Sequence, residues 1–349
     1  MIQQSFIRPL RILTTSSTDI PYSSKIKIMT ACELKDFLLA INSFSPDLIF
    51  INVDAGVGFN GLCKDYTGIA IALDKPIAII VQRSKKVLLE QYKAILNIVE
   101  QVIVKAIKKE HLPLYDLSID FSLKKVSKRV IEGAMIPIIG LPGGEAKLQE
   151  LISVLEVKNE VIGGQCEILI MRVQEFNENM IVLEGVVKTG EVHTKQYLRL
   201  GLLNNKFITV QVKKLVRDDE VVEVALSDQE ITITVTLLSK ESFKLEDFKE
   251  NLIILERIDK NQLIHTFDSE VTVIKREFIK IGQALKVFIG NQCEVAEVID
   301  LAGETILKEG DKGIVKCQLK ELKYVKKGEK VFFVGDGVVA IGIISELYN

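Results

Sequence analysis

The periodicity of the chain changes once, close to residue 158, and this change limits the available folds more than any other feature. Before it, short β-branched or apolar runs alternate with stretches of helical spacing. After it, strand-like runs follow one another about every ten residues, split by turn signals and without a long helical stripe. In the first part, residues 25–29 (KIKIM), 47–53 (DLIFINV), 76–81 (PIAIIV), 101–106 (QVIVKA) and 135–139 (MIPII) read as strands. Residues 31–43, 61–73, 87–98 and 145–155 read as helices, and 113–132 as a polar excursion. Runs that are apolar at nearly every position belong to strands buried on both faces, so this part predicts a parallel sheet with helices on both sides.

The second part divides at the polar stretch 244–250. CEILIMRV, NMIVLEGVV, QYLRLGLL, FITVQVKKL, EVVEVAL and EITITVTLL precede it; NLIILERI, ALKVFIG, CEVAEVIDL, GIVKCQL, KVFFVG and VVAIGIISEL are among the runs that follow. Two all-β units of about 95 residues each suit this spacing. The expected fold class is therefore multidomain, α/β plus all-β: residues 1–157 an α/β domain, 158–250 a first β-barrel and 251–349 a second.

Composition narrows the function classes. Lys plus Arg number 45 and Asp plus Glu 47, a net charge of −2, so any contact with nucleic acid must be local. The apolar mass rests on Ile, Val and Leu with Lys and Glu outside, a blend seen in heat-loving organisms. Mean hydropathy is +0.24, yet the longest apolar stretch, 69–81, is broken by Asp74 and Lys75 and falls short of the roughly 18 residues that span a bilayer. A soluble, cytoplasmic protein without membrane contact is expected. Five scattered cysteines (32, 63, 166, 293 and 317) without a C-x-x-C, and three isolated histidines (111, 193 and 265), predict no metal and no disulfide framework. G-x-S-x-G is absent, and nothing supports a Ser-His-Asp triad.

Three features bear on chemistry. Gly56, Gly58 and Gly61 in DAGVGFNG form G-x-G-x-x-G between a strand and a helix, with Arg83 after the next strand; an NADP-dependent enzyme would use these four as its cofactor site. The alternative is a plain strand-to-helix turn whose glycines supply φ > 0. The stretch 140–147, GLPGGEAK, does not satisfy G-x-x-x-x-G-K-[ST] and reads as a turn feeding the last helix. Among basic clusters, Lys213, Lys214 and Arg217, and Lys323, Lys326 and Lys327, are candidate phosphate contacts; the alternative is that they guard solvated β edges.

In order and spacing these segments resemble elongation factor Tu and its relatives. FINVDAGVGFNG, an apolar helix and ALDKPIAIIVQRSKK are similar to that family's V-D-A-x-x-G turn and following strand. GVVKTG at 185–190 and VKKLVRDDEVVEVA at 212–225 resemble its second domain. Residues 265–277, 309–319 and 331–344 resemble its third, although Val334 stands where an Arg is usual in the last hairpin. SelB-like archaeal factors look closest. The resemblance implies a GTPase domain followed by two barrels, and tRNA, ribosome or translation-protein partners. Several positions depart from it. Residues 30–34 (TACEL) occupy the place of D-x-P-G-H, and only 24 residues precede the strand before it, too few for a P-loop unit and a switch. Lys85, which can only donate, falls where the family's guanine-reading Asp belongs. The phosphate cradle, the Mg²⁺ hydroxyl and the water-positioning His are missing, and phosphoryl transfer depends on those groups. The expected function is a non-catalytic SelB-like factor with no cofactor. The alternatives are an NADP enzyme and a factor that binds guanine nucleotide weakly near Asp54 and Ser84.

Overall fold

The computed structural model describes residues 10–16, 26–84, 86–102, 110–114, 123–155, 157, 162–177, 179–203, 205–239, 243–248, 252–274, 278–335 and 337–348. The chain forms two compact units, Phe6–Lys158 and, for the most part, Asn159–Asn349.

The first unit is a six-stranded, wholly parallel sheet. Its strands are β1 (Leu10–Thr14), β2 (Ile26–Thr30), β3 (Leu48–Asp54), β4 (Ile77–Gln82), β5 (Glu110–Pro113) and β6 (Met135–Leu141), in the order β2-β1-β3-β4-β6-β5. Its helices are α1 (Leu34–Ser43), α2 (Gly61–Ala72), α3 (Leu89–Val102), α4 (Leu123–Ile131) and α5 (Glu145–Val154). Ile12, Leu48, Phe50, Ala78 and Ile80 share one core with Val130 of α4 and Leu148, Leu151 and Ile152 of α5. The alternate residues Leu13, Ile49, Ile51, Val53, Ile79 and Val81 are equally buried and point to the opposite face. Burial on both faces is why these strands are apolar at almost every position.

Three expectations in this unit are corrected. Residues 101 and 102 belong to α3 rather than to a strand, and 103–106 lie outside the described residues. The polar excursion contains α4, whose Val126, Val130 and Ile131 turn to the core while Lys128 and Arg129 pair with Glu132 and Glu110. The segment 10–14 (LRILT), for which the sequence pattern predicts no element, is β1, buried at all five positions and central in the sheet.

The second unit holds both barrels. The first contains β7 (Glu167–Asn177), β8 (Met180–Thr189), β9 (Glu191–His193), β10 (Tyr197–Leu203), β11 (Lys206–Arg217), β12 (Glu220–Val222), β13 (Val224–Leu226), β14 (Glu230–Leu237) and β15 (Ile253–Leu255). Strands β10-β15-β7-β8-β14-β11 pair antiparallel in that order, and β11 returns to β10 to close the ring. The second contains β16 (Leu263–Val273), β17 (Ile279–Lys280), β18 (Ala284–Ile289), β19 (Gln292–Asp300), β20 (Ile306–Leu307), β21 (Lys312–Tyr324), β22 (Lys330–Gly335) and β23 (Val338–Tyr348). Here β16-β21-β19-β18-β22-β23 form a closed antiparallel barrel. Closure removes the free edges of both sheets.

The run NLIILERI, expected in the second barrel, instead completes the first. Ile254 joins the first barrel's core with Phe248 and Leu252. Ile253 and Leu255 face the other way, into a smaller cluster with Leu169 and Tyr324.

GVVKTG owes its glycines to crowding. A Cβ on Gly185 would lie 2.5 Å from the Leu169 carbonyl oxygen, where β7 and β8 cross closely at a register shift. Gly190 has φ +69°, and a Cβ there would meet the Gly164 carbonyl at 2.7 Å. Gly185→Ala forces this backbone apart and is expected to lower stability by about 1–3 kcal/mol, whereas Gly163→Ala, with open space around its Cβ, is expected to be near neutral; urea unfolding of the two variants checks the contrast.

Candidate functional site

In an open parallel sheet, ligands bind beyond the carboxyl ends of the strands where successive connections leave in opposite directions. Here β1 leads outward to β2 on one side, and β3 leads to β4 on the other, so that point lies between the ends of β1 and β3.

The crevice is stitched by the chain's own polar groups. The Asn52 side-chain amide donates to Thr14 Oγ1 at 2.6 Å and to the Ser16 carbonyl at 3.5 Å. The Asn52 backbone N–H donates to Thr15 Oγ1 at 2.9 Å, and Thr14 Oγ1 donates to the Ser16 carbonyl at 2.8 Å. Thr15 N–H donates to the Phe50 carbonyl and Ala31 N–H to that of Thr14. Thr14 and Thr15 are buried. The connection from β1 to β2, residues 15–25 (TSSTDIPYSSK), contains no glycine. A phosphate cradle is made of backbone N–H groups that glycine lets approach the anion.

At the end of β3, Asp54 Oδ1 accepts from Gly56 N–H at 2.6 Å, and its carbonyl accepts from Val57 and Gly58. Gly58 has φ +80°. These bonds make a self-closed turn. Asn60 caps α2 by accepting from Cys63 N–H at 3.0 Å. A Cβ on Gly61 would meet nothing within 4 Å, so the close helix–strand packing that the third glycine of a dinucleotide fingerprint permits is not called for here. Arg83 Nε donates to the Val87 carbonyl at 2.8 Å. That bond holds the guanidinium on its own chain. Burial, above all, pushes the Tyr92 hydroxyl up to about 12, with Arg83 opposing and Glu145 adding to the rise. In GLPGGEAK, Gly144 is the N-cap of α5, and Glu145 Oε2 accepts from Gly143 N–H at 2.7 Å, where an anion would otherwise sit. Ser84 is exposed; Lys85 lies outside the described residues.

The basic candidates separate into two groups. A β-bulge between Val212 and Lys214 turns both Lys213 and Lys214 to solvent, against strict alternation. Lys213 donates to Gln211 Oε1 at 2.6 Å, and Arg217 approaches Gln229 at 3.4 Å and Asp218 at 3.9 Å. The other three are held by carboxylates. Lys323, 16% exposed, lies 3.1 Å from Glu294 and 3.4 Å from Glu321. Lys326 pairs with Glu167, and Lys327 with Glu346 at 2.6 Å. On β10, Tyr197 and Arg199, which sequence reasoning did not single out, stand in register with Gln211 and Thr209 of β11. Tyr197 is 61% exposed. The signal was present in QYLRLG, where Tyr and Arg alternate with buried Leu198 and Leu200.

Among the described residues no cluster of His, Cys, Asp and Glu is placed to hold a metal, and no helix is long and apolar enough to cross a membrane. The five cysteines are free thiols.

No family model matches the chain. Two curated relatives, GTP-binding protein 2 of Mus musculus and of Homo sapiens, are each 20% identical over 323 residues, which is 89% of this chain and 53% of theirs. The chain thus spans about half the length of the curated relatives it matches. Among solved structures, translation elongation factor SelB from Methanococcus maripaludis in its apo form superposes with a TM-score of 0.72 at 13% identity, covering 98% of this chain and 80% of that one. The GTPase-like domain of S. cerevisiae Ski7, bound to GTP, gives 0.62 at 12% identity, covering 99% and 83%. The chain shares the fold of these two structures: a parallel-sheet domain followed by two six-stranded barrels.

Asn52→Ala removes the donor that joins Thr14 and Ser16 to β3 and is expected to cost about 1–2 kcal/mol of stability; chemical denaturation of the two proteins measures it.

Proposed function

We propose that this protein is a non-catalytic, SelB-like member of the translation-factor fold, one that engages tRNA, the ribosome or another translation protein without hydrolysing GTP. The observation that carries this reading is the Asn52–Thr14–Thr15 network together with the glycine-free connection 15–25. Where the fold's relatives bring a phosphate-binding loop, this chain places hydroxyls and an amide that satisfy one another. Lys85 in place of a base-reading Asp adds to it. Without a phosphate sensor, an order–disorder switch has no trigger. A second reading, weak guanine-nucleotide binding near Asp54 and Ser84, draws on the GTP bound to the Ski7 domain and the GTP analogue bound to SelB.

The surface we assign to nucleic acid is the face of β10 and β11 in the first barrel. Tyr197 offers a ring on which a base can stack, and Arg199, Lys213 and Lys214 stand beside it with exposed side chains. Arg217 lies further along β11.

Filter binding of bulk tRNA across a salt series tests this. Lys213→Ala together with Lys214→Ala is expected to weaken binding and to reduce the salt slope by about 0.7–0.9 for each phosphate that is no longer neutralised. Lys327→Ala, whose charge is already paired, is expected to leave the slope unchanged. A wild-type protein that binds neither tRNA nor ribosomes, or a double variant with an unaltered slope, would overturn the assignment.

A further inference from the structure

We propose that Asn60–Gly61 is a site of spontaneous covalent modification, where the Asn60 side chain deamidates in the folded protein and places a carboxylate at the start of α2. This is the only Asn-Gly pair in the sequence. Both residues are exposed. An asparagine amide can be attacked by the backbone nitrogen of the residue that follows it, and a following glycine, without a Cβ, leaves that approach open.

The local geometry presents nucleophile, electrophile and leaving group together. Asn60 is the N-cap of α2, and its side chain is held by one bond, Oδ1 accepting from the Cys63 N–H at 3.0 Å. Among the described residues the Nδ2 group has no partner, so the leaving group is unrestrained. Gly61 is the first helical residue. Its N–H is one of the group at a helix start that has no intrahelical acceptor, and none of the described residues accepts from it. The helix therefore loses no hydrogen bond when this nitrogen enters a ring, the same reason that proline is accommodated at this position. Neither packing nor backbone geometry calls for glycine here: a Cβ would meet nothing within 4 Å, and φ lies outside the left-handed region.

The Gly61 nitrogen attacks Asn60 Cγ. The N–Cγ bond forms, the Cγ–Nδ2 bond breaks, and the amide leaves as ammonia with the proton that the Gly61 nitrogen gives up. A five-membered cyclic imide remains. Water opens it at one of its two carbonyls. Opening at Cγ gives an aspartyl residue with the main chain unchanged. Opening at the main-chain carbonyl leaves the chain running through Cβ and Cγ, an isoaspartyl link. Either route consumes one water, releases one ammonia and needs no oxidant or cofactor. Ring closure swings Cγ onto the Gly61 nitrogen and breaks the cap bond to Cys63, and one such bond slows the step about fivefold. The products differ in consequence. The aspartyl form keeps the cap, with its carboxylate at the positive end of the α2 dipole. The isoaspartyl form loses it and loosens the first turn of α2. Cys63 links that turn to the crevice, since its thiol donates to the Asn52 carbonyl at 3.5 Å.

Ageing the full chain at neutral pH and body temperature, followed by peptide mapping that resolves asparaginyl, aspartyl and isoaspartyl forms, tests this. The peptide that contains residue 60 is expected to convert about fivefold more slowly in the folded protein than in the same chain unfolded in guanidinium chloride. Gly61→Ala, for which the structure has room, is expected to fold as the wild type does and to suppress conversion in both states, because its methyl group obstructs the attack. A folded protein that stays unconverted while the unfolded chain converts completely overturns the proposal. So does a Gly61→Ala chain that converts as fast as the wild type.

Discussion

The side-chain amide of Asn52 ties the carboxyl ends of β1 and β3 to each other. It stands where β1 and β3 part, and it ties the chain leaving β1 back to the neighbouring strand through Thr14 and Ser16. In a sheet of this topology that point is where the strand ends diverge and a ligand finds room. Filling it with mutually satisfied polar groups avoids an unpaired donor in a half-buried place. The sheet around it remains intact: the strands keep the parallel order, the helices cover both faces, and the turn after β3 closes on Asp54.

The second unit follows from closure. Six strands complete each ring, and the last strand of the first ring is a three-residue segment borrowed from the stretch that leads into the second. That segment is buried on both sides, by the first barrel's core on one and by the cluster with Leu169 and Tyr324 on the other. Tyr197, Arg199, Lys213 and Lys214 stand on strands β10 and β11 of the first barrel rather than on a loop. Their geometry is set by the bulge at Lys213 and by the register that places Tyr197 opposite Gln211.

Much of this was legible in the sequence. The nearly continuous apolar runs of β3, β4 and β6 identify strands covered on both faces, and the regular alternation beyond residue 165 identifies the barrels. What was not legible has physical reasons. The segment IIL is apolar in both directions because two cores claim it, so periodicity could not say which barrel owned it. Helix α4, LKKVSKRVI, carries four cationic residues in nine, so it reads as a polar stretch. Strand β1 contains Arg11, 2% exposed, with its backbone N–H bound to Asp47, and so does not look like the centre of a sheet. The candidate site was harder still. Asn52 and Thr14 lie 38 residues apart, and Glu167 and Lys326 lie 159 apart. Neither pair leaves a local pattern. The lysines at 323, 326 and 327 read as a cationic cluster in sequence, where Glu294, Glu167 and Glu346, which approach them in space, are far along the chain.

The central claim is that this fold here works without a nucleotide, and isothermal titration of the intact protein with a non-hydrolysable GTP analogue and Mg²⁺, paired with its melting temperature, tests it most directly. A ligand present at one hundred times its Kd would add about 2.7 kcal/mol to the native state. A crevice closed by Asn52 should give no heat of binding and no shift in melting temperature up to millimolar analogue. Saturable binding accompanied by a shift that grows with concentration would contradict the claim.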